Sequence, residues 1–307
     1  MMPVADISAA VRVRVPAKVN LHLSVGPLRS DGFHDLTTVF QAVGLHDEVH
    51  VRSGKGISID LAGELAEEVP NGPENLAWQA ASLLAEHSDV PADVALTLTK
   101  AIPVAGGMAG GSADAAAALL ACATLWRTGT SRADLIELAA DLGSDVAFGL
   151  VGGTALGTGR GELLSPVLVT GTFHWVFAMA HYGISATEAY RELDRLREDG
   201  SAPRPIGGPD RVLDALRAGD PHALAPALAN DLEAAALSLH PELRDVLNSG
   251  VDAGALAGIV SGSGPTCAFL CADDDAAINV AAGLAGTSDV SGTRIALAPV
   301  SGARVLL

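Results

Sequence analysis

The stretch Ile102–Ala116 reads IPVAGGMAGGSADAA and places four glycines directly before an alanine-rich segment. Glycines let backbone N–H groups converge on an anion, and a helix that follows adds unpaired amides and the positive end of its dipole. Ser112 suits the N-cap of such a helix, and Asp114 falls in its first turn. The pattern therefore predicts a phosphate-binding loop that leads into a helix.

The helix is expected to continue through Ala115–Cys122 and to end after Arg127, where Gly129 follows. The loop is not a Walker A motif, because no Lys-Ser/Thr pair follows its last glycine. It also lacks the GxGxxG spacing of dinucleotide-binding folds. A tight strand-to-helix turn, with glycine and alanine selected for close packing, is the alternative interpretation.

Composition limits the classes of protein to consider. A chain of 307 residues with 49% hydrophobic content can bury a sizeable core, and its length favours two domains. A formal net charge of -17 argues against broad contact with nucleic acid or an anionic membrane, since both need a basic surface. We therefore expect a protein whose partners are small molecules.

The expected compartment is the cytoplasm. The sequence has no uninterrupted apolar run long enough to span a bilayer, and the N-terminal MMPVADISAAVRV lacks the progression of a signal peptide. The three cysteines, Cys122, Cys267 and Cys271, lack the paired spacing of a zinc site. Free thiols are consistent with a reducing compartment.

Alternation and capping signals predict the elements of the first half. Residues 11–61 read as strands, a helix is expected over about Leu76–Glu86, and a strand over Val94–Leu98. Ser131 and Asp134 form a capping-box start for an amphipathic helix, which a glycine ends at position 143.

The second half begins with a different pattern. The glycine-rich stretch Gly152–Gly161 predicts a hairpin, and the apolar strand Trp175–Ala180 indicates a second domain from about Phe173. The Pro- and Gly-rich segment Asp199–Asp210 is expected to be an exposed connection. Because strands and helices follow one another without a strict βαβ rhythm, an α+β class is favoured over a doubly wound sheet.

Three further segments accompany the glycine loop. VRVPAKVNLHLSV places Lys18 and Asn20 inside a strand-like alternation, before the turn-rich SDGFHDL around Gly32. LGSDVAFGLVGG presents Asp145 just past a helix-ending glycine, and SGSGPTCAFL from Ser261 gives a second small-residue turn before an apolar strand. In this order the four segments resemble the GHMP small-molecule kinases over nearly the whole chain.

The resemblance implies a fold and an activity. The fold is the two-domain GHMP kinase fold, with an N-terminal ATP domain (1–165), a C-terminal ferredoxin-like substrate domain (173–307), and the active site between them. Within the family, the PAKxNLxL and DGxH signature is similar to that of members that phosphorylate the 2-hydroxyl of a cytidine-diphosphate-linked methylerythritol for isoprenoid precursors. ATP and Mg²⁺ are the implied co-substrate and cofactor, and a monomer or weak homodimer is expected.

The resemblance assigns ATP binding mainly to the glycine loop. Asn75 and Lys100 match nucleotide contacts of the family, although Asn75 could equally cap the helix that starts at Leu76. Ala105 and Ala109 stand where glycine is frequent, so their backbone is expected to keep ordinary φ and ψ angles or a slightly wider turn. The expected ATP-binding residues are Asn75, Lys100, Pro103, Ala105, Gly106, Gly107, Met108, Ala109, Gly110, Gly111 and Ser112.

Asp114 stands where an asparagine is common in the family. A carboxylate close to a triphosphate is repelled unless a cation lies between them. Asp114 therefore either caps the helix and faces away or helps to hold Mg²⁺, with Ser112 as the other candidate ligand. We favour the cap.

Phosphoryl transfer requires a group that orients and deprotonates the acceptor hydroxyl. Taken alone, Asp145 could be a plain N-cap, and Lys18 could extend from a sheet edge into water. Matched to the family, Asp145 is the catalytic base, and Lys18 lies beside it to stabilise charge on the transferring phosphoryl group.

The residues that the resemblance assigns to the substrate are Asn20, Phe33, His34 and Tyr190. Phe33, in place of the commoner tyrosine, and Tyr190 are expected to sandwich the cytosine, with His34 acting partly through its backbone. Tyr190 could equally pack into the core from an amphipathic helix. Ala186 stands where threonine is frequent, with Thr187 displaced by one position.

Two alternative functions stay open. Another GHMP kinase, such as one for homoserine or mevalonate, would share the loops but lack the DGFH signature. A non-catalytic nucleotide-binding protein would keep the glycine loop and transfer nothing, although the presence of both Lys18 and Asp145 argues against it.

Overall fold

The computed structural model describes residues 10–63, 65 and 69–306. Residues 1–9, on which part of the signal-peptide argument rests, lie outside the described residues. The strands in chain order are β1 (Ala10–Leu28), β2 (His34–Ser53), β3 (Ile57–Gly63), β4 (Val94–Lys100), β5 (Thr154–Thr158), β6 (Leu163–Pro166), β7 (Phe173–Met179), β8 (Ala229–Asn230), β9 (Ala257–Val260), β10 (Cys267–Cys271), β11 (Gly292–Ala298) and β12 (Arg304–Leu306). The helices are α1 (Leu76–His87), α2 (Gly110–Trp126), α3 (Arg132–Leu142), α4 (Ser144–Val151), α5 (Ala186–Glu198), α6 (Asp210–Ala218), α7 (Pro221–Leu224), α8 (Glu233–Leu239), α9 (Leu243–Asp252) and α10 (Asp274–Leu284).

The first sheet is built on the long antiparallel pair of β1 and β2. Its strand order is β12-β1-β2-β4-β3, while β5 and β6 extend from β2 and β8 lies parallel to β1. The strands predicted within residues 11–61 are confirmed, and the alternating Val11, Val13 and Val15 are buried. Because successive side chains point to opposite faces, this alternation gives the sheet an apolar face for a layer of helices.

Helix α2 lies in the middle of that layer and is buried on nearly every side. The side chains of Ala115–Ala118 are fully buried, and α2 packs against α1, α4 and the strands β1 and β2. A Cβ added at Gly149 of α4 would lie only 2.8 Å from the Cβ of Ala116, so the two helices approach closely. The alanine run therefore serves close packing as well as helix propensity.

The predicted helices and the hairpin around the site are also confirmed. Ser131 and Asp134 form the expected capping box of α3, and Gly143 follows its last residue. β5 and β6 form an antiparallel hairpin, as predicted from the glycine-rich stretch Gly152–Gly161. The expected connection Asp199–Asp210 contains no helix or strand before α6 and is largely exposed.

The second sheet confirms the ferredoxin-like arrangement and the α+β class. Its strands run in the order β11-β7-β10-β9 and all neighbours are antiparallel, with helices between β7 and β9 and between β10 and β11. The later segments β8 and β12 return to the first sheet, where β12 pairs with β1. The domain limits 1–165 and 173–307 stay a prediction.

Two expectations from composition concern cysteines and membranes. All three cysteines are buried and carry free thiols. Among the described residues, no helix combines the length and the apolar character that a membrane span requires.

A buried ion cluster joins the end of β4 to α2 beneath the glycine loop. The ammonium of Lys100 contacts the Asp47 carboxylate and donates to Asp114 Oδ2 at 2.6 Å. Asp47 Oδ1 also accepts from the backbone N–H groups of Ala101 and Ile102 at 2.6 and 2.9 Å. The three charged side chains are at most 1% exposed, so the cluster fixes the start of the loop from below.

The cluster corrects three expectations about the loop. Lys100, expected to contact the nucleotide, lies buried below the loop with its charge used by two carboxylates. Asp114 does not cap the helix, because α2 begins at Gly110 with Ala109 as its N-cap. The burial of the Asp114 side chain also argues against a role as a metal ligand. Ser112 is consequently not the N-cap but the third residue of α2.

Two carboxylates share one ammonium in this cluster, and the pKa values of Asp114 and Lys100 are both raised. Burial raises the pKa of Asp114 from 3.8 to about 7; Lys100 opposes this rise and the negative charge of Asp47 adds to it. Burial acts to lower the pKa of Lys100, but the two carboxylates outweigh it and the pKa is raised. The folded protein therefore retains a proton on Asp114 that the unfolded chain releases.

We predict that Asp114→Asn changes how stability depends on pH. Between about pH 4 and about pH 7 the folded wild type binds more protons than the unfolded chain, so its free energy of unfolding falls as pH rises. Asparagine has no such proton. The variant should gain on the order of 3 kcal/mol relative to wild type between about pH 4 and about pH 7, measured by urea unfolding at a series of pH values.

The matched control is Asp60→Asn, which removes an exposed carboxylate on β3. It should follow the wild-type pH dependence. Parallel curves for Asp114→Asn and wild type would show that Asp114 does not hold an additional proton in the folded state.

Candidate active site

A cavity of about 890 Å³ lies where the glycine loop, β1, β2, α4, α5 and the turn after β9 meet. Most of the residues expected in the site line it. They are Lys18, Asn20, Phe33, His34, Pro103, Ala105, Gly106, Gly107, Ala109, Gly110, Gly111, Ser112, Asp145 and Tyr190. The four segments that carry the sequence resemblance therefore converge on one site.

Asn75, Lys100 and Met108 do not line this cavity. The alternative interpretation of Asn75 is the one observed: its Oδ1 accepts from the N–H of Ala77 at 2.8 Å, which caps α1, and its Nδ2 donates to a carbonyl of the preceding turn. The Met108 side chain is fully buried in the core, and its carbonyl accepts from the Lys18 N–H at 3.3 Å. Met108 therefore anchors the loop to β1.

The backbone of the loop differs from the expectation at its two alanines. Ala105 and Ala109 have φ angles of 47° and 61°, so both adopt the left-handed conformation that usually requires glycine. An L-residue in this region costs roughly 1–2 kcal/mol. The expectation of ordinary angles at these positions was wrong, because both alanines adopt a turn that usually requires glycine and bear its strain.

The second glycine turn supports the loop directly. A Cβ at Gly107 would lie 1.9 Å from the Ser261 carbonyl oxygen, so only glycine allows this close approach. Ser261 Oγ donates to the Gly107 carbonyl at 3.1 Å. The turn that precedes β10 thus helps to fix the shape of the loop.

Lys18 and Asp145 form the charged pair of the cavity, with Nζ and Oδ2 3.8 Å apart. The Lys18 side chain is 7% exposed and that of Asp145 is 31% exposed. Burial lowers the pKa of Lys18, and the negative charge of Asp145 opposes the shift. The cavity therefore contains a buried amine beside a carboxylate that water and ligands can reach.

The fold excludes the two structural alternatives for this pair. Lys18 is buried and its ammonium donates to Asn20 on the same strand, so it does not extend from a sheet edge into water. Asp145 is the second residue of α4, whose N-cap is Gly143, so it is not the cap. A carboxylate in the first helical turn benefits from the positive end of the helix dipole.

A chain of hydrogen bonds continues from Lys18 into β2. Lys18 Nζ donates to Asn20 Oδ1 at 2.6 Å, Asn20 Nδ2 donates to Thr38 Oγ1 at 2.8 Å, and Thr38 Oγ1 donates to the His22 carbonyl at 2.8 Å. Asn20, expected to bind substrate, lines the cavity but has both polar ends engaged within the protein.

Thr38 was not among the residues expected from the sequence. A signal for it exists, because His34, Leu36, Thr38 and Phe40 all line the cavity and alternate along β2. Side chains two residues apart share one face of a strand. Once His34 is placed in the site, the period of two indicates the other three.

The aromatic residues of the cavity contact neighbouring side chains. The rings of His34 and Tyr190 stack with centroids 5.2 Å apart, and His34 Nε2 lies 3.0 Å from Asp194 Oδ1. Phe33 is 50% exposed, and the guanidinium of Arg160 lies 4.8 Å from its ring centroid. Phe33 and Tyr190 both line the cavity, and the sandwich of the cytosine between them stays a prediction.

The core-packing interpretation of Tyr190 is confirmed, and its stacking on cytosine stays a prediction. Tyr190 packs against the core of the second sheet from α5, and it also lines the cavity. Burial raises the pKa of Tyr190, and the negative charge of Asp145 adds to the rise, so its phenol stays neutral. Thr187, on the same helix, also lines the cavity.

Arg160 is a second residue that the sequence argument missed. It lies in the turn between β5 and β6, flanked by two glycines with positive φ, and its side chain reaches the cavity. The glycines in TGRGE indicate a tight turn, which presents the arginine to solvent. Arg160 therefore places a positive charge at the same part of the cavity as Phe33.

A metal site made of protein groups alone is absent from the part of the chain that the structure describes. These residues contain no group of three or more His, Cys, Asp or Glu side chains that could hold an ion. Ser112 lines the cavity, whereas Asp114 is buried below it. Of the two candidate metal ligands, Ser112 alone has a position that fits.

Comparison with known proteins connects this cavity to a family. The profile of the GHMP kinases N terminal domain matches residues 75–155, and that of the GHMP kinases C terminal domain matches residues 212–287. A relative from Mycobacterium tuberculosis (strain ATCC 25618 / H37Rv), 4-diphosphocytidyl-2-C-methyl-D-erythritol kinase, is 58% identical over 299 residues. The alignment covers 97% of this chain and 94% of the relative.

Solved structures agree. A crystal structure of 4-(cytidine 5'-diphospho)-2C-methyl-D-erythritol kinase superimposes with a TM-score of 0.75 at 33% identity, covering 94% of this chain and 100% of that chain. Homoserine kinase from Cytophaga hutchinsonii has a TM-score of 0.76 at 20% identity over the full length of both chains, which is a likeness of fold. Since the two family domains and a full-length relative match the chain that forms this cavity, the protein belongs to the GHMP kinases.

Proposed function

We propose that this chain transfers the γ-phosphoryl group of ATP to the 2-hydroxyl of 4-diphosphocytidyl-2-C-methyl-D-erythritol. The observation that carries the proposal is the Lys18–Asp145 pair, which opens into the same cavity as the glycine loop. The 58% identity to a kinase named for this substrate supports the choice of acceptor.

In this proposal ATP binds with its phosphates on the glycine loop. Gly106, Gly110, Gly111 and Ser112 line the cavity at the N-terminus of α2, where free backbone N–H groups and the helix dipole favour an anion. A protein with a net charge of -17 must obtain its affinity for a triphosphate from such local groups.

Mg²⁺ is part of the proposal as the ion that accompanies ATP. It usually binds through one or two protein groups, the phosphates and water, and the Ser112 hydroxyl is the group we assign to it. When bound, the ion neutralises negative charge on the phosphates.

Asp145 is the proposed base. As the acceptor oxygen bonds to the γ-phosphorus, its proton passes to the Asp145 carboxylate, and the bond to the β-phosphate oxygen breaks to release ADP. Lys18, buried 3.8 Å from that carboxylate, stabilises negative charge on the transferring group. A buried ammonium acts strongly here because few water molecules screen its charge.

The cytidine diphosphate part of the substrate is assigned to the other end of the cavity. We propose that Phe33, Tyr190 and His34 contact the cytosine and that Arg160 pairs with the diphosphate. Phe33 and His34 come from β2 with its preceding turn and Tyr190 comes from α5, which packs on the second sheet, so both parts of the fold contribute to recognition.

Three further expectations stay predictions. They are a cytoplasmic enzyme, a monomer or weak homodimer, and a protein that binds neither nucleic acid nor membranes. The acidic charge is the basis of the last of these.

The direct test of the function is turnover with a panel of acceptors. The purified protein should form ADP and a phosphorylated product, identified by mass spectrometry, from the cytidine-linked methylerythritol, and not from homoserine or mevalonate. Turnover of homoserine or mevalonate would favour the other family activities. Binding of ATP without turnover of any acceptor would favour a non-catalytic nucleotide-binding protein.

We predict that Gly111→Val weakens ATP binding at least about tenfold. A Cβ at Gly111 would meet only a Leu76 methyl at 3.8 Å, so the added side chain should enter the cavity and leave the packing intact. Isothermal titration with a non-hydrolysable ATP analogue measures the loss of affinity; a tenfold higher Kd corresponds to about 1.4 kcal/mol of binding free energy. Gly286→Val, at an exposed site with no neighbour within 4 Å, is the control. Wild-type affinity in folded Gly111→Val would remove this residue from the ATP site.

Asp145→Asn should lower kcat by roughly 10²- to 10⁴-fold with little change in the binding of either ligand, since size and polarity are retained. Lys18→Met should also reduce kcat, and the two losses should not add, because the groups act as one unit. Asp141→Asn, an exposed carboxylate on α3, is the matched control in the same steady-state assay. Near-normal turnover of Asp145→Asn would refute the assignment of the base.

Two variants should separate recognition of the cytosine ring from recognition of the diphosphate. Phe33→Ala should weaken binding of both cytidine and cytidine diphosphate by about 1–3 kcal/mol, the range for stacking of bases on aromatic rings. Arg160→Met should weaken cytidine diphosphate and leave cytidine unchanged, since it removes charge and retains the aliphatic stem. Titration calorimetry with both ligands measures this difference. If Arg160→Met weakened binding of cytidine as much as binding of cytidine diphosphate, the role of the arginine would be to hold the Phe33 ring in place.

A further inference from the structure

We propose that Thr38 is a positioning residue that sets the orientation of the Asn20 amide and thereby holds the Lys18 ammonium in place. The proposal rests on the proposed function in one respect, namely that Lys18 takes part in phosphoryl transfer. The hydrogen-bond chain from Lys18 to the His22 carbonyl carries it.

The direction of the hydrogen bonds follows from the chemistry of the groups. The Thr38 hydroxyl has one proton, which it donates to the His22 carbonyl, so towards Asn20 it can only accept. Asn20 must therefore present its NH₂ group to Thr38 and its oxygen to Lys18. An ammonium has donors only, so this is the one orientation of the amide that Lys18 can use.

The local backbone makes the arrangement available. The pairing of β1 with β2 shifts register between Asn20 and His22, and Thr38 then lies opposite Leu23. Such a bulge changes the direction of nearby backbone groups relative to a regular ladder. It allows the His22 carbonyl to accept from a side chain of the neighbouring strand.

The packing around Thr38 allows its hydroxyl to be removed by substitution while the contacts of its methyl group are retained. Thr38 is fully buried, and a Cβ at Gly157 of β5 would lie 3.0 Å from its methyl carbon. The Thr38 methyl group therefore has a close neighbour in β5, and valine would keep this contact. Thr38→Val replaces only the hydroxyl, while Thr38→Ser keeps it.

The surroundings of the Lys18 amine define the expected effect. Asp145 on α4 lies 3.8 Å away, Asn20 on β1 accepts at 2.6 Å, and the Phe40 ring on β2 has its centroid at 5.8 Å. Burial lowers the pKa of Lys18 and the charge of Asp145 opposes it. Without Thr38 the amide is free to rotate and turn its NH₂ group towards the ammonium, which lowers the pKa further.

Lysine labelling tests the proposal without any enzymatic activity. The chain contains three lysines, at positions 18, 55 and 100, so peptide mass spectrometry can follow each one after trace acetylation with acetic anhydride across a pH series. Exposed Lys55 is the internal reference. In Thr38→Val the pH midpoint for labelling of Lys18 should move to lower values, and in Thr38→Ser it should stay at the wild-type value.

Thr154→Val is the matched control. Thr154 is also buried in the first sheet, and its hydroxyl accepts from the side-chain amide of Gln41 at 3.2 Å, so the same type of bond is removed. It should leave the Lys18 midpoint unchanged. An unchanged midpoint in Thr38→Val would overturn the proposal. If that variant does not fold, Thr38→Cys, with its weakly bonding thiol, should shift the midpoint in the same direction, and no shift there would overturn it equally.

Kinetics then connect the position of the amine to turnover. We expect Thr38→Val to lower kcat roughly 3- to 10-fold at constant KM, the equivalent of one hydrogen bond, with Thr38→Ser near wild type. A raised KM without a shift of the labelling midpoint would indicate that Thr38 binds substrate directly, against the proposal. A shifted midpoint in a protein that does not phosphorylate the cytidine substrate would refute the proposed function and leave the positioning role intact.

Discussion

One ammonium group, that of Lys100, connects the central parts of the first sheet to the helical layer. It lies between Asp47 on β2 and Asp114 on α2, at the end of β4 where the glycine loop begins. Removing one partner of a buried charge pair typically costs about 3–5 kcal/mol, because the remaining charge is left without compensation. The contacts of this buried cluster hold the start of the loop in place, and the shape of the cavity depends on that position.

The loop is enclosed from two sides, and this explains its unusual backbone. Below it lie the ion cluster and the buried Met108, and beside it the turn at Ser261 approaches Gly107 closely. Strained conformations persist only where the surroundings determine them. Ala105 and Ala109 can therefore stay left-handed, and the loop presents a preformed concave surface to a ligand.

Much of the fold could be predicted from local patterns. The strands within residues 11–61, the capping box at Ser131 and the helix end at Gly143 depend on alternation or on contacts a few residues apart, which a sequence displays directly. The resemblance of the four segments predicted the family and the ferredoxin-like second sheet.

The errors concern residues whose roles depend on distant partners. A lysine before a glycine loop suggests a phosphate contact, and only the position of Asp47, 53 residues earlier, shows that its charge is already used. Likewise Thr38 and Arg160 reach the cavity through strand pairing and a hairpin turn that bring remote segments together. The two left-handed alanines could not be predicted, because the enclosing contacts come from the other sheet and from the core.

The return of the chain to its first strand has a consequence for how the protein is made. Residues 304–306 pair with residues 12–14, and the segment just before them packs tightly on the end of α4, where a Cβ at Gly302 would lie 2.2 Å from the Leu150 carbonyl oxygen. During synthesis, residues 12–14 of β1 therefore have no β12 beside them until residues 304–306 have left the ribosome. Contacts between residues so far apart slow folding, and an unpaired strand edge invites association with other chains. Until residues 304–306 are made, this edge of β1 is therefore open to pairing with other chains.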